Sequence, residues 1–392
     1  MDPIVIVGAA RTPMGGLAGD LSGATAAELG AVAIRAAVAR AGIAAEAVEE
    51  VIMGCVLSAG QGQAPARQAA LGAGLPLSAG ALTINKMCGS GMKAAMLAHD
   101  LLTAGSARVM VAGGMESMSR APYLLDKARA GYRMGHGQVI DHMFFDGLED
   151  AYDKGRLMGT FADDCAREFG FTREAQDAYA IASLTRAQAA MSSGHFANEI
   201  AEVTIKDRGG DRTVSQDEQP FKARIDKIPT LRPAFGKDGT VTAANASSIS
   251  DGAAALVMMR LSAAEASGLT PIAKIIGHAT HAQAPSQFPT APISALTSLS
   301  AQTGWALKDV DLFEVNEAFA VVAMAAMQAL DLPHDKVNIH GGACALGHPI
   351  GASGARVLVT LLAALQAQGS RRGMATLCIG GGEATAMAVE MM

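Results

Sequence analysis

Two thiols and one imidazole stand in glycine-rich surroundings at widely separated points of the chain. Cys88 lies in Asn85-Lys86-Met87-Cys88-Gly89-Ser90-Gly91, His348 in Gly347-His348-Pro349-Ile350-Gly351, and Cys378 in Cys378-Ile379-Gly380-Gly381-Gly382. Glycine admits positive φ and lets a ligand approach the backbone, so a nucleophile in such a setting is both exposed and positioned. A thiol nucleophile, an imidazole base and a second thiol would supply acyl transfer with two separate proton-transfer groups. Cys88 precedes Gly-Ser-Gly and a helical pattern. The positive end of a helix dipole favours thiolate, so a depressed thiol pKa is expected there.

Other polar residues fit less specific roles. Asn316-Glu317-Ala318-Phe319-Ala320 follows an apolar strand, 310–315, and opens an apolar helix. Asn316 then reads either as a helix cap or as a ligand group at the C-terminal end of a strand, where the sites of α/β folds collect. The run Gly380-Gly381-Gly382 is suited to offering backbone N–H groups to an oxyanion. Gly8-Ala9-Ala10 follows the first strand but has neither GxGxxG nor GxxxxGK[ST], which excludes a nucleotide loop. Cys55, Cys165 and Cys344 read as small core residues, and with no CxxC pair no metal site is expected.

An internal repeat accounts for how distant residues could meet. Cys88-Gly89-Ser90-Gly91 leads into an apolar helix (92–102), a Gly105-Ser106 turn, a strand (109–112) and Gly113-Gly114. Gly351-Ala352-Ser353-Gly354 leads in the same way into a helix (355–367), Gly369-Ser370, a strand (375–379) and Gly380-Gly381. The second helix, with Val357-Leu358-Val359 and Leu361-Leu362, is apolar on every side and is expected between sheets rather than on the surface. A pseudo-two-fold arrangement of the copies would bring Cys88, His348 and Cys378 together. Residues 119–249 are richer in charge and turn residues and contain a long helical pattern, 172–193, so they read as an insertion lying over the site.

Composition agrees with a two-core α/β protein. Half of the 392 residues are hydrophobic but only 4% are aromatic, which suits close packing of helices on sheets. A net charge of −6 without a long basic tract excludes nucleic-acid binding as a general property. No uninterrupted apolar run reaches the roughly 20 residues that span a bilayer, and a cytoplasmic protein without membrane partners is expected.

These motifs resemble the thiolases, most closely their acetyl-CoA acetyltransferase (acetoacetyl-CoA thiolase) branch. The resemblance rests on residues 10–13, 85–91, 113–119, 316–320, 341–356 and 378–382, and it spans nearly the whole chain. It implies a five-layer α-β-α-β-α sandwich of two repeated core domains (1–118 with 250–270, and 271–392) and an inserted CoA-binding loop domain (119–249). By resemblance, Cys88 accepts the acyl group, His348 takes its proton, and Cys378 moves the α-proton of a second acetyl-CoA. One oxyanion hole is then formed by His348 with a water held by Asn316, the other by backbone N–H groups of Cys88 and Gly380. Neighbours of CoA are expected at Met158, Phe235, Ala243, Ser247, Ala318 and Phe319, with Lys222 and Arg224 for phosphate and Phe288 limiting acyl length. Many relatives carry His where this chain has Leu157. The implied reaction is a reversible ping-pong condensation of two acetyl-CoA to acetoacetyl-CoA and CoA. The implied assembly is a homotetramer built as a dimer of dimers. CoA thioesters are substrates, and no cofactor is expected. The alternatives are a degradative 3-ketoacyl-CoA thiolase of broader chain length and a noncatalytic acyl-CoA- or lipid-binding relative.

Overall fold

Residues of the first strand, β1 (Ile4–Arg11), alternate between two apolar environments: Val5 and Val7 join one core cluster, Ile4 and Ile6 another. A strand that is apolar on both faces needs cover on both sides. The computed structural model, which describes residues 2–206 and 209–392, supplies that cover with helices. Ten strands form one hydrogen-bonded sheet: β1, β2 (Gly15–Gly16), β3 (Glu50–Gly54), β4 (Gly80–Ile84), β5 (Val109–Ser117), β6 (Ser250–Arg260), β7 (Ala273–Ala282), β8 (Leu312–Val315), β9 (Arg372–Ile379) and β10 (Glu383–Met391).

The sheet has two halves of matching design. In the first, β1, β6 and β5 are antiparallel neighbours, and β5, β3 and β4 run parallel. In the second, β7, β10 and β9 are antiparallel and β9 is parallel to β8. Each half even shifts register at the corresponding place, between Ile6 and Gly8 and between Ile275 and Gly277. A short pairing of β1 with β7, Val5 with Lys274 and Ile6 with Ala273, joins the halves. The repeat expected from the glycine-rich segments is thus a repeat of topology.

Helices fill the layers. On the outer face of the first half, α1 (Ala26–Ala41) and α2 (Pro65–Gly72) cover Val5, Val51 and Val111. On the outer face of the second, α6 (Ala291–Thr303) and α7 (Ala320–Leu330) cover Phe313, Val315 and Met374. Between the halves lie α3 (Ser90–Ala104) and α8 (Ile350–Gln368). One cluster joins Met92 and Met96, Val357 and Leu361, Ile52 and Met110 of one half, and Leu377 and Val389 of the other. The order is therefore α-β-α-β-α. Helix α8 is long and apolar enough to cross a membrane, but 83% of its apolar window is buried inside the protein, which explains its composition.

Glycine sets the spacing of the central layer. A Cβ on Gly354 would lie 2.2 Å from the Met92 nitrogen, and one on Gly91 would lie 2.6 Å from the Ala355 nitrogen, so α3 and α8 touch backbone to backbone. Gly113 and Gly114 do not end their strand, as the repeat had suggested. They lie within β5, where a Cβ on Gly114 would come 2.1 Å from the Gly351 oxygen. Close approach, not a turn, is the reason for glycine there.

Residues 119–249 contribute no strand to the main sheet among the described residues. They contain α4 (Met158–Phe169) and α5 (Arg173–Ser192), and Thr172 caps α5 by accepting from the Ala175 N–H. Arg11 at the end of β1 ties this segment to the core. Its guanidinium donates to Glu199 at 2.5 Å and to both oxygens of Asp217 at 2.6 and 2.8 Å, fully buried. Removing one partner of such a pair would leave a buried charge uncompensated, at a cost of about 3–5 kcal/mol.

Candidate active site

Cys88 is held by a tight turn just before α3. Ser90 Oγ accepts from the Lys86 N–H at 2.8 Å and donates to the Met87 oxygen at 2.6 Å, while Asn85 Oδ1 accepts from the Met87 N–H at 2.9 Å. Met87 sits at φ 46°, a left-handed conformation that costs a non-glycine residue energy and is maintained by these bonds. His348 occupies the equivalent loop before α8, and Cys378 is the penultimate residue of β9.

The three residues and Gly380 converge on one cleft of about 480 Å³. Its wall also includes Met158, Phe235, Ala243, Ser247, Phe288, Ala318 and Phe319, every cleft-lining residue that the sequence suggested for the acyl-pantetheine arm. Phe288 is buried and packs edge-on against Phe161 and obliquely against Phe319. Lys222 and Arg224 are elsewhere, with Lys227, around a neighbouring depression of about 410 Å³. The two cavities share Ala243 and Ser248, so an extended ligand could occupy both. Lys222 already pairs with Glu218, and Arg224 with Asp226.

Burial overturns the expected thiol acidity. It pushes the Cys88 thiol up to about 11, opposed by the backbone N–H groups of Gly380 and of Cys88 itself, which point at the sulfur. Desolvation of the charged form outweighs the helix end. Cys378 is also pushed well above the ordinary thiol range, by burial and then by the neighbouring Cys88. Both thiols therefore rest protonated and need a base or a charged partner to ionise. Burial, and then the Arg356 charge, lowers His348 to about 3, so its imidazole is neutral and able to accept a proton.

A network behind His348 sets which nitrogen does so. Ser353 Oγ donates to the Pro349 oxygen at 2.9 Å and so accepts from Nδ1–H of His348 at 2.5 Å. This assigns the free lone pair to Nε2, which is buried and has no partner in the chain among the described residues. Asn316 is not a helix cap, because α7 begins at Ala320 with Phe319 at the capping position. Its Oδ1 instead accepts from buried Arg356 at 3.2 Å, and its Nδ2 lies 3.5 Å from His348 Nδ1. Arg356 thereby decides the orientation of the amide. Asn316 does not line the cleft itself but stands behind the imidazole that does.

Glu116, Ser353 and Arg356 were present in the motifs but carried no role from sequence. Glu116 accepts from the N–H groups of Val56 (3.0 Å), Leu57 (3.1 Å) and Gly351 (2.9 Å), binding the 55–57 loop to the start of α8. Burial raises it to about 7 despite those bonds. Its partners are backbone groups remote in sequence, so no spacing rule could have found it. The position of Ser353 one helical turn after Pro349 was the only signal for its contact with the carbonyl.

Comparison with known proteins places this geometry among relatives. The family model described as "Thiolase, N-terminal domain" matches residues 4–262, and "Thiolase, C-terminal domain" matches 269–391. An acetyl-CoA acetyltransferase of Escherichia coli is 50% identical over 394 residues, and one of Cupriavidus necator is 49% identical over 392, each covering 100% of both chains. Among solved structures, the Bacillus anthracis acetyl-CoA acetyltransferase superposes with a TM-score of 0.97 at 39% identity, covering 100% of this chain and 99% of that one. Acat5 thiolase from Ascaris suum, solved in complex with coenzyme A, gives 0.94 at 39% identity with 100% coverage of both.

Proposed function

Because the chain belongs to the thiolase family, we propose that it is an acetyl-CoA C-acetyltransferase, forming acetoacetyl-CoA and CoA reversibly from two acetyl-CoA. The observation that carries this reading is the convergence of Cys88, His348, Cys378 and Gly380 on one mainly apolar cleft. Lining by Met158, Phe235 and Phe319 suits a pantetheine arm, and the buried Phe288 ring suits a short acyl group.

The proton-transfer steps follow from the resting states of the groups. Nε2 of His348 takes the Cys88 proton as the sulfur attacks the thioester carbon of the first acetyl-CoA. The oxyanion accepts from the N–H groups of Cys88 and Gly380, the same groups that point at the resting sulfur. The C–S bond to CoA breaks, and the departing thiolate takes the proton of Cys378. Cys378 thiolate then removes the α-proton of the second acetyl-CoA. The enolate oxygen is stabilised by the protonated imidazole, which Asn316 backs from outside the cleft. Attack of the enolate carbon on acetyl-Cys88 releases acetoacetyl-CoA, and the Cys88 sulfur recovers its proton from His348. All protons balance, and the enzyme ends as it began.

Binding of the CoA phosphates by Lys222 and Arg224 is part of this proposal, supported by the cavity they border beside the cleft. Assembly into a homotetramer of dimers is also proposed. It is supported by the exposed sheet edge at β4, where Leu82 is 45% exposed and Leu77, in the chain leading into the strand, is 81% exposed. Five free thiols fit a reducing compartment, and the cytoplasm is the proposed location.

The test is incubation with acetyl-CoA and mass spectrometry of the Cys88 peptide under conditions that preserve thioesters, together with thiolysis rates for C4 and C8–C16 3-ketoacyl-CoAs. Absence of an acetyl adduct would favour a noncatalytic binder, and a strong preference for long chains would favour a degradative thiolase.

A further inference from the structure

Near the far end of α3 from Cys88, three side chains from two elements meet. His99 and Asp100 belong to α3, and His278 belongs to β7. His99 Nδ1 lies 3.1 Å and His278 Nε2 lies 2.9 Å from the same oxygen, Oδ1 of Asp100. All three ligand atoms fall within 4.8 Å of one another, and the two imidazole rings stand at 87° with centroids 5.1 Å apart. Both histidines are about one-fifth exposed or less, while Asp100 is 53% exposed, so one side is open to solvent.

From this arrangement we infer that His99, Asp100 and His278 form a binding site for a borderline first-row divalent cation of the Zn²⁺ or Co²⁺ class, completed by water on the open side. Two imidazoles and one carboxylate are a donor set for such ions, whereas Mg²⁺ and Ca²⁺ favour oxygen alone. Metal–ligand bonds of about 2.0–2.1 Å in a tetrahedron separate the ligand atoms by roughly 3.3–3.4 Å. The two contacts to Asp100 are within a few tenths of an ångström of that spacing, and the two ring nitrogens, within 4.8 Å of each other, would close on the cation by side-chain rotation. No net loss of protons is required from neutral rings. Each imidazole moves its proton from the nitrogen facing Asp100 to its other nitrogen, leaving a lone pair for the metal.

The site would act on the framework rather than on the chemistry. At about 1.5 Å per residue, His99 lies roughly 14 Å along the helix from Ser90. The cation would clip the central helix that carries the Cys88 loop to the first strand of the other half, where β7 pairs with β10. No CxxC-type spacing announces it, because the ligands come from positions 99–100 and 278.

The test titrates the purified protein with Co²⁺ and reads its electronic spectrum, then measures Zn²⁺ binding by calorimetry and thermal melting. The expected result is one ion per chain with the ligand-field bands of nitrogen and oxygen donors and no thiolate charge-transfer band. Zn²⁺ should raise the melting temperature of the wild type. His278→Asn and His99→Asn should each weaken binding at least tenfold and abolish that rise. Asp100→Asn, which keeps the shape of the side chain, serves as the check if a histidine variant folds poorly. Absence of such a cobalt spectrum in the wild type, or unchanged affinity in the variants that fold, would overturn the assignment. A cobalt spectrum dominated by thiolate charge transfer would overturn it as well, by placing the ion on cysteine.

Discussion

Replacing Ser353 by Ala isolates the part of the site that chooses the tautomer of His348. In the wild type the serine hydroxyl is committed to the Pro349 oxygen and accepts from Nδ1–H, which leaves Nε2 free as the base. Without it, buried Nδ1–H has no acceptor, and His348 is only 6% exposed, so water gives little compensation. The ring can instead place its proton on Nε2 and accept from Asn316 Nδ2, now 3.5 Å away, but that is the wrong tautomer for deprotonating Cys88. Leaving a buried donor unpaired costs about 1–3 kcal/mol. At 1.36 kcal/mol per tenfold, the productive tautomer should be depleted, and acylation slowed, by about 5- to 150-fold. The assay is rapid-quench formation of acetyl-Cys88 from acetyl-CoA, with the steady-state rate of acetoacetyl-CoA thiolysis measured in parallel. Because the deficit is one of tautomer and not of charge, the loss should be nearly constant from pH 6 to 8. Acylation within a factor of two of wild type would refute the tautomer argument, and so would a deficit that disappears with pH.

Cys378→Ala should still form acetyl-Cys88 but lose acetoacetyl-CoA synthesis by at least two orders of magnitude, as judged by adduct mass and product chromatography, since a general base typically contributes about 10²–10⁴. Gly354→Ala should lower stability by about 3 kcal/mol, read from the denaturation midpoint, because the added carbon would sit 2.2 Å from the Met92 backbone nitrogen and the two helices must part. Stability should also follow pH in two opposed limbs. Glu116 and Glu314 are raised by burial to about 7 and about 8, so the stability of their protonated forms is fully present below the unfolded value near 4.5 and is lost as pH rises through 7 and 8. His340 and His348 are lowered by burial to about 4 and about 3, so the stability of their neutral forms is present above 6.5 and is lost as pH falls toward 4 and 3. Urea midpoints from pH 4 to 8 should therefore peak between about 4.5 and 6.5, and a monotonic rise to pH 8 would contradict the burial of these carboxyls.

Much of the positioning machinery was visible in the chain because local physics suffices for it. Gly89 and Gly347 flank the two reactive loops, the long helical pattern 172–193 marks α5, and the all-round apolar pattern of 355–367 marks a helix enclosed by sheets. Each of these signals depends on residues within a few positions of one another. The two repeated loop–helix–strand segments extended that reasoning to long range, since equivalent segments adopt equivalent places. Where the local reasoning failed, a distant contact had intervened. Gly113 and Gly114 looked like a strand end, yet Gly113 accommodates the backbone of Ala254 and Gly114 that of Gly351, both far away along the chain. The Asn316 amide read equally as a cap or as a ligand group, and its contacts with distant Arg356 and His348 are what separate the two.

Residue type and spacing act through neighbouring backbone, and they were enough to mark the reactive side chains, the repeat that carries them and the apolar periods that make layers. The chemical state of those side chains is set by the assembled fold. Whether Cys88 is acidic depends on how much water burial removes, and the answer is that the thiol is raised and not lowered. Which nitrogen of His348 is the base depends on where the Ser353 hydrogen is spent. Desolvation and hydrogen-bond direction belong to surroundings assembled from both halves of the chain, and no local pattern encodes them.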